Sequence, residues 1–151
     1  MGKARRTEAC SVFRESIRGK NMKILVADDD FASRCGIVNY LRQFGDCDVT
    51  VDGNEAVEAF AMAQDSGSMY DLVCLDADMP VLDGYGAYKK IRELENTKES
   101  GSEGRVRIIV TTAYEQNAIA KKSIEDVSYI AKPINFDSLK NTLTNIGLIK
   151  A

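Results

Sequence analysis

Four short runs, Ile24–Ala27, Leu72–Leu75, Val106–Val110 and Ser128–Ala131, are largely apolar and show no alternation of apolar with polar residues. A strand of that kind is apolar on both faces, so both faces must be covered. The stretches between the runs have helical period. Residues 31–44 put Ile37, Leu41 and Phe44 on one face, and residues 54–64 turn Ala56, Val57 and Phe60 inward. A third helix is predicted over 85–94, a fourth within 115–125 and a fifth over 136–146. Strands alternating with helices fold as a parallel sheet wound with helices on both faces.

Two elements depart from this pattern. Asp46–Val51 alternates polar Asp46, Asp48 and Thr50 with apolar Cys47, Val49 and Val51, which predicts an edge strand with one wet face. Gly45 is expected to stop the preceding helix. Residues 95–105 are polar and contain Gly101 and Gly104, so they are expected to form a surface loop.

Each apolar run ends on a reactive group. The first strand, Lys23–Ala27, ends on Asp28-Asp29, the third on Asp76-Ala77-Asp78-Met79-Pro80, and the fifth on Lys132-Pro133. Parallel strands bring their carboxyl ends into one crevice, where open α/β sheets bind ligands. Two carboxylates about 4 Å apart repel by roughly 4 kcal/mol at an effective dielectric near 20. Three in one cleft must hold a proton or a cation. Oxygen ligands without histidine favour a hard ion, magnesium before zinc or copper. A carboxylate can itself accept a phosphoryl group, and what remains is positioning and charge neutralisation. Lys132 supplies a point charge there, and a hydroxyl at the end of the fourth strand, Thr111 or Thr112, supplies a hydrogen bond.

The composition narrows the alternatives. A chain of 151 residues fits one domain. No apolar stretch approaches the roughly 20 residues of a membrane span, and no signal-peptide pattern opens the chain, so a cytoplasmic location is expected. The absence of histidine removes Cys/His and Ser/His catalysis. Cys10, Cys35, Cys47 and Cys74 lack paired spacing and read as reduced packing residues. A net charge of −3 argues against general nucleic-acid binding.

Charge is uneven along the chain. Residues 1–21 hold six basic side chains (Lys3, Arg5, Arg6, Arg14, Arg18, Lys20) against Glu8 and Glu15, a net +4, and Met22 opens the domain proper, expected over 22–150. Ala9, Val12, Phe13 and Ile17 could share one face of a short helix against a partner or membrane. A frayed, disordered arm, or a true start at Met22, is favoured because short isolated helices are marginal in water.

The landmarks taken in order resemble the receiver domains of two-component response regulators. They are the pair Asp28-Asp29, the block from Leu75 to Gly84, Thr112-Ala113, and Lys132-Pro133. The resemblance covers Met22 to about Lys150. It implies a flavodoxin-like, five-stranded parallel sheet of order 2-1-3-4-5, as in the chemotaxis regulators. It implies Asp76 as phosphoacceptor. Magnesium would be bound by the Asp29 and Asp76 side chains, by the Asp78 backbone carbonyl, and by Asp28 through water. Lys132 and Thr112 would hold phosphoryl oxygens, Tyr129 would be the aromatic that switches with Thr112, and the Lys132–Pro133 bond would be cis. Asp78 and Tyr114 would flank the approach of hydrolytic water.

The implied partners are a histidine kinase or histidine phosphotransfer protein as donor and a protein target downstream. The chain would catalyse its own phosphorylation and dephosphorylation without turning over a separate substrate. It ends after the fifth helix, so a stand-alone regulator is expected.

Other readings remain beside it. Asp30 reads as a helix N-cap, Asp83-Gly84 as turn chemistry, and Tyr129 as a half-buried strand-end aromatic. A haloacid-dehalogenase-like phosphatase would carry its paired aspartates on the first strand. A receiver fold used only for binding would not need the full acid, threonine and lysine set. A fragment of a larger regulator or hybrid kinase is the third alternative. Two departures from the family, a long 95–105 loop and a short span from Thr112 to Lys132, bear on the partner-binding surface.

Overall fold

The computed structural model describes residues 5–6, 21–97, 105–113 and 126–150. The helix expected within 115–125, the helical face of residues 9–17, Tyr114 and Cys10 lie outside them. The strands are β1 (Arg5–Arg6), β2 (Met22–Ala27), β3 (Gly45–Thr50), β4 (Leu72–Asp76), β5 (Arg107–Thr112) and β6 (Ser128–Ala131). The helices are α1 (Phe31–Leu41), α2 (Gly53–Ser66), α3 (Gly84–Asn96) and α4 (Phe136–Asn145). The sheet order is β1-β3-β2-β4-β5-β6. Its last five strands are parallel and run in the expected 2-1-3-4-5 order. The two-residue β1 joins antiparallel at the β3 edge, pairing Arg5 with Val49 and Arg6 with Asp48. The arm expected to be frayed or helical therefore includes a strand.

The unbroken apolar runs are explained by two cores, one on each face. Leu25, Val73, Leu75, Ile108 and Val110 face α2 and α3, where they meet Phe60 and Ile91. Ile24, Val26, Leu72, Cys74 and Ile109 face the other way, toward Leu41 of α1 and Leu139 and Leu143 of α4. Burying one such side chain stabilises by roughly 1.5–3 kcal/mol. Each helix begins on an Asx cap that accepts from backbone N–H groups. Asp30 accepts from Ser33 at 2.8 Å, Asp52 from Glu55 at 2.8 Å, Asp83 from Gly86 at 2.8 Å, and Asn135 from Asp137 at 2.7 Å. α2 ends on Gly67 in the left-handed region, φ 78°.

Three local expectations are corrected. β3 is not wet on one face: Asp48 and Thr50 are buried, and Asp48 accepts a hydrogen bond from the Tyr70 hydroxyl at 2.7 Å. Val51, expected inside, is exposed. Alternation misled here because α2 and Tyr70 cover the polar face and satisfy its carboxylate. Gly45 does not stop α1, which ends at Leu41; it opens β3 where a Cβ would lie 2.0 Å from the Met22 carbonyl oxygen. Glu95 is not in a surface loop. It lies buried in α3 and accepts from Val106 N–H at 2.6 Å and from Arg92 Nη1 at 2.6 Å.

Candidate functional site: an acid cleft with one lysine

Asp28 follows β2 and Asp76 ends β4, and the two strands are hydrogen-bonded neighbours. Both side chains are almost wholly buried. Carboxylate oxygens of Asp28, Asp29 and Asp76 lie within 4.8 Å of one another. Asp29 is exposed, so the cluster opens to solvent on its side. Lys132 follows β6 and spans the cleft, placing Nζ 3.1 Å from Asp28 Oδ2 and 3.2 Å from Asp76 Oδ2. The expected convergence of three strand ends is met, and the Lys132–Pro133 bond is cis, as expected.

Backbone contacts fix these side chains. Asp78 N–H donates to Asp76 Oδ1 at 3.1 Å, and Asp30 N–H donates to Asp28 Oδ1 at 2.9 Å. Asp76 thus has one oxygen held by the following loop and the other by Lys132. Arg34, one turn into α1, donates from Nη1 to the Asp28 carbonyl at 2.8 Å. Sequence reading missed Arg34; its signal was a basic residue four places after the Asp30 cap. Lys132 N–H donates to the Thr112 carbonyl at 2.8 Å, which ties β5 to the lysine.

The electrostatics follow from this geometry. Burial, aided by the Asp28 charge, pushes the Asp76 carboxyl up to about 6 against the opposing pull of the Asp78 amide and Lys132. Burial alone would lower the Lys132 pKa, yet Asp28 and Asp76 together raise it, so the ammonium stays charged. Three oxygen donors with a solvent-facing side and no nitrogen or sulfur ligand fit a hard divalent cation such as magnesium.

The remaining residues sort by face. Thr112 is fully buried and follows Val110 by two positions, so it shares the α3 side of the sheet, while Thr111 faces the opposite way. Tyr129 packs against that same α3-side core, half-buried, with its hydroxyl buried and without a hydrogen-bond partner among the described residues. Asp78 is exposed beside the cleft. Asp30 is the helix cap it was read as, whereas Asp83, read as turn chemistry, caps α3. On the α1–α4 side a groove of about 510 Å³ adjoins the cleft, lined by Asp30, Ser33, Gly36, Lys132, Ile134 and Phe136. Among the described residues Cys35 and Cys74 are free thiols, Cys47 is buried, and no helix is long and apolar enough to cross a membrane.

The carboxyl edge of this doubly wound α/β sheet thus carries buried aspartates and a lysine. The family model for the response regulator receiver domain matches residues 24–144, and the chain belongs to that family. It is 35% identical over 126 residues to two-component response regulator 24 of Arabidopsis thaliana, covering 82% of each. It is 31% identical over 116 residues to hybrid signal transduction histidine kinase I of Dictyostelium discoideum, covering 75% of this chain but 6% of that one. Several of the curated relatives are thus far longer than the region they share with it. Among solved structures it resembles the receiver domain of sensor histidine kinase PA1611 from Pseudomonas aeruginosa PAO1, which holds a magnesium ion in its active-site cleft. That match has 30% identity, a TM-score of 0.64, and coverage of 83% of this chain and 97% of the other.

Proposed function

We propose that Asp76 accepts a phosphoryl group from a phosphohistidine on a histidine kinase or histidine phosphotransfer protein, in a magnesium-dependent reaction. The observation that carries this reading is the placement of Lys132 Nζ 3.1 Å from Asp28 and 3.2 Å from Asp76. A carboxylate gripped at both oxygens presents its lone pairs in a fixed direction, which is the positioning that phosphoryl transfer chiefly needs.

An Asp76 oxygen attacks phosphorus, the bond from phosphorus to the donor imidazole nitrogen breaks, and the imidazole leaves with that electron pair. Asp29 and Asp76 would hold magnesium through their side chains, Asp78 through its backbone carbonyl, and Asp28 through water; the ion supplies charge neutralisation of the phosphoryl oxygens. Lys132 pairs with one phosphoryl oxygen and Thr112 donates to another. The new charge draws the Thr112 hydroxyl toward Asp76 and opens space into which Tyr129 turns. Both residues share one face of the sheet, which supports that coupling. The altered surface, formed by β5 and β6 and the segments that follow them, is where a downstream protein would dock. Asp78 and Tyr114 would govern access of hydrolytic water. The match over 82% of a response regulator supports a single-domain role. Similarity to a hybrid kinase supports a second reading, in which the same chemistry serves within a longer signalling chain.

The test is incubation with magnesium and acetyl phosphate followed by intact mass. A single phosphoryl adduct on the wild type that is absent from Asp76→Asn is expected. Undiminished adduct in that variant would overturn the assignment of Asp76. Transfer from a phosphorylated phosphotransfer protein then tests the donor class.

A further inference from the structure

We infer that Gly53 is a positioning residue for the phosphorylation site, acting through Leu82 on the segment that carries Asp78. The inference rests on the reading of Asp76 and its metal given above.

The chain leaves β4 at Asp76 and must turn within seven residues to begin α3 at Gly84. The N-terminal half of that turn touches the nucleophile, since Asp78 N–H donates to Asp76 Oδ1 at 3.1 Å. Its middle is strained. Leu82 N–H donates to the Pro80 carbonyl at 2.7 Å across Val81, whose φ is +69°. That is a γ-turn of the rare hand built on a β-branched residue, a conformation costing on the order of 1–3 kcal/mol. Val81 is 81% exposed, so its own side chain does not hold it there. Contacts to either side must.

One such contact is Gly53. A Cβ on that residue would lie 2.0 Å from the Leu82 carbonyl oxygen, 2.7 Å from its carbon and 3.0 Å from its Cβ. The bare Cα of Gly53 is therefore a seat for the Leu82 backbone. Gly86 receives the Leu82 side chain, with a Cβ there 2.5 Å from Cδ1, and Gly84 closes against the Asp76 carbonyl, with a Cβ there 2.5 Å from its oxygen. Leu82 is thus gripped between the start of α2 and the first turn of α3. Gly53 is not in the left-handed region, so its lack of a side chain answers to space and not to backbone conformation.

A methyl at Gly53 forces a separation of about 1 Å or more, because real Cβ contacts of this kind stay above 3.0 Å. α2 is the stiffer partner, anchored by its Asp52 cap and by buried Ala56, Ala59 and Phe60. The loop is the softer one, with Asp78, Pro80 and Val81 exposed. The loop should move, taking with it the Asp78 amide that orients Asp76. Displacements near 1 Å can reduce catalysis by about 10²-fold. A residue that only packs would lower stability and leave the folded site unaltered.

The experiment uses the full chain and Gly53→Ala under conditions where both are folded, with Gly36→Ala as control because nothing lies within 4 Å of that position. Magnesium is titrated by calorimetry without phosphodonor, and the acetyl phosphate rate is measured at saturating magnesium. Gly53→Ala should bind magnesium more weakly and phosphorylate about tenfold or more slowly, while Gly36→Ala matches the wild type. Wild-type affinity and rate in folded Gly53→Ala would overturn the inference and leave the phosphoacceptor reading standing. A wild type that neither binds magnesium nor forms an adduct would overturn both. If Gly53→Ala does not fold, amide resonances of the wild type decide. Gly53 and Leu82 should shift with the same magnesium midpoint as Asp78, and static Gly53 and Leu82 resonances would refute the coupling.

Discussion

Asp76→Asn should make the metal-free protein more stable at neutral pH, although it removes one partner of Lys132. The carboxyl is held at about 6 in the fold against 3.8 for an ordinary aspartate, chiefly by burial and then by the Asp28 charge. Between those two values the folded state binds more protons at this position than the unfolded state. Stability therefore rises as pH falls through that window, and at pH 8 the ionised side chain carries its full penalty. A difference near two pH units, at 1.36 kcal/mol each, gives a penalty of roughly 3 kcal/mol as an upper bound. Asparagine keeps the shape and the Oδ1 acceptor for the Asp78 amide while removing the charge. For a chain of this size the gain corresponds to a rise in Tm of roughly 6–12 °C. Urea or thermal unfolding of both proteins in EDTA between pH 4 and pH 8 measures it. The gap should be widest above pH 7 and close toward pH 4, and magnesium should narrow it by stabilising only the wild type. A variant less stable than wild type at pH 8, or a gap that does not change with pH, would refute the reasoning.

Three other outcomes follow from the same geometry. Asp29→Ala should lose magnesium binding and phosphorylation together, since it is the solvent-facing member of the three-acid cluster; calorimetry showing wild-type affinity would mean the ion sits elsewhere. Thr112→Ala should still be phosphorylated but respond less around Tyr129 when beryllofluoride is added, and equal amide shifts in variant and wild type would reject the coupling. Glu95→Ala leaves buried Arg92 and the Val106 N–H without their 2.6 Å acceptor, a loss of about 3–5 kcal/mol. Urea unfolding that shows a loss under 1 kcal/mol would show that Asp126, 3.0 Å from Arg92 Nε, suffices for that guanidinium.

What the sequence determined by itself was local in origin. An apolar run without alternation reports that both faces of a strand are covered, and the residue that ends it reports what the crevice contains. Asp28, Asp76 and Lys132 could be placed together because parallel strands share one carboxyl edge, whatever the details of packing. The Asp30 cap was legible for the same reason: it binds a backbone amide three residues away. Other features depend on segments distant in sequence. Asp48 looked solvent-facing until Tyr70, 22 residues later, was found over it. Glu95 looked like the start of a loop because its partners include the backbone of Val106 across that loop. Gly45 read as a helix stop, though its demand comes from the Met22 backbone in a neighbouring strand. Gly53 carries no chemistry that a motif would record; only the approach of the Leu82 carbonyl makes its bare Cα matter. Sequence periodicity records which way a side chain faces, whereas close approach and buried charge pairing depend on what the folded chain brings opposite it, and that is settled only in the tertiary structure.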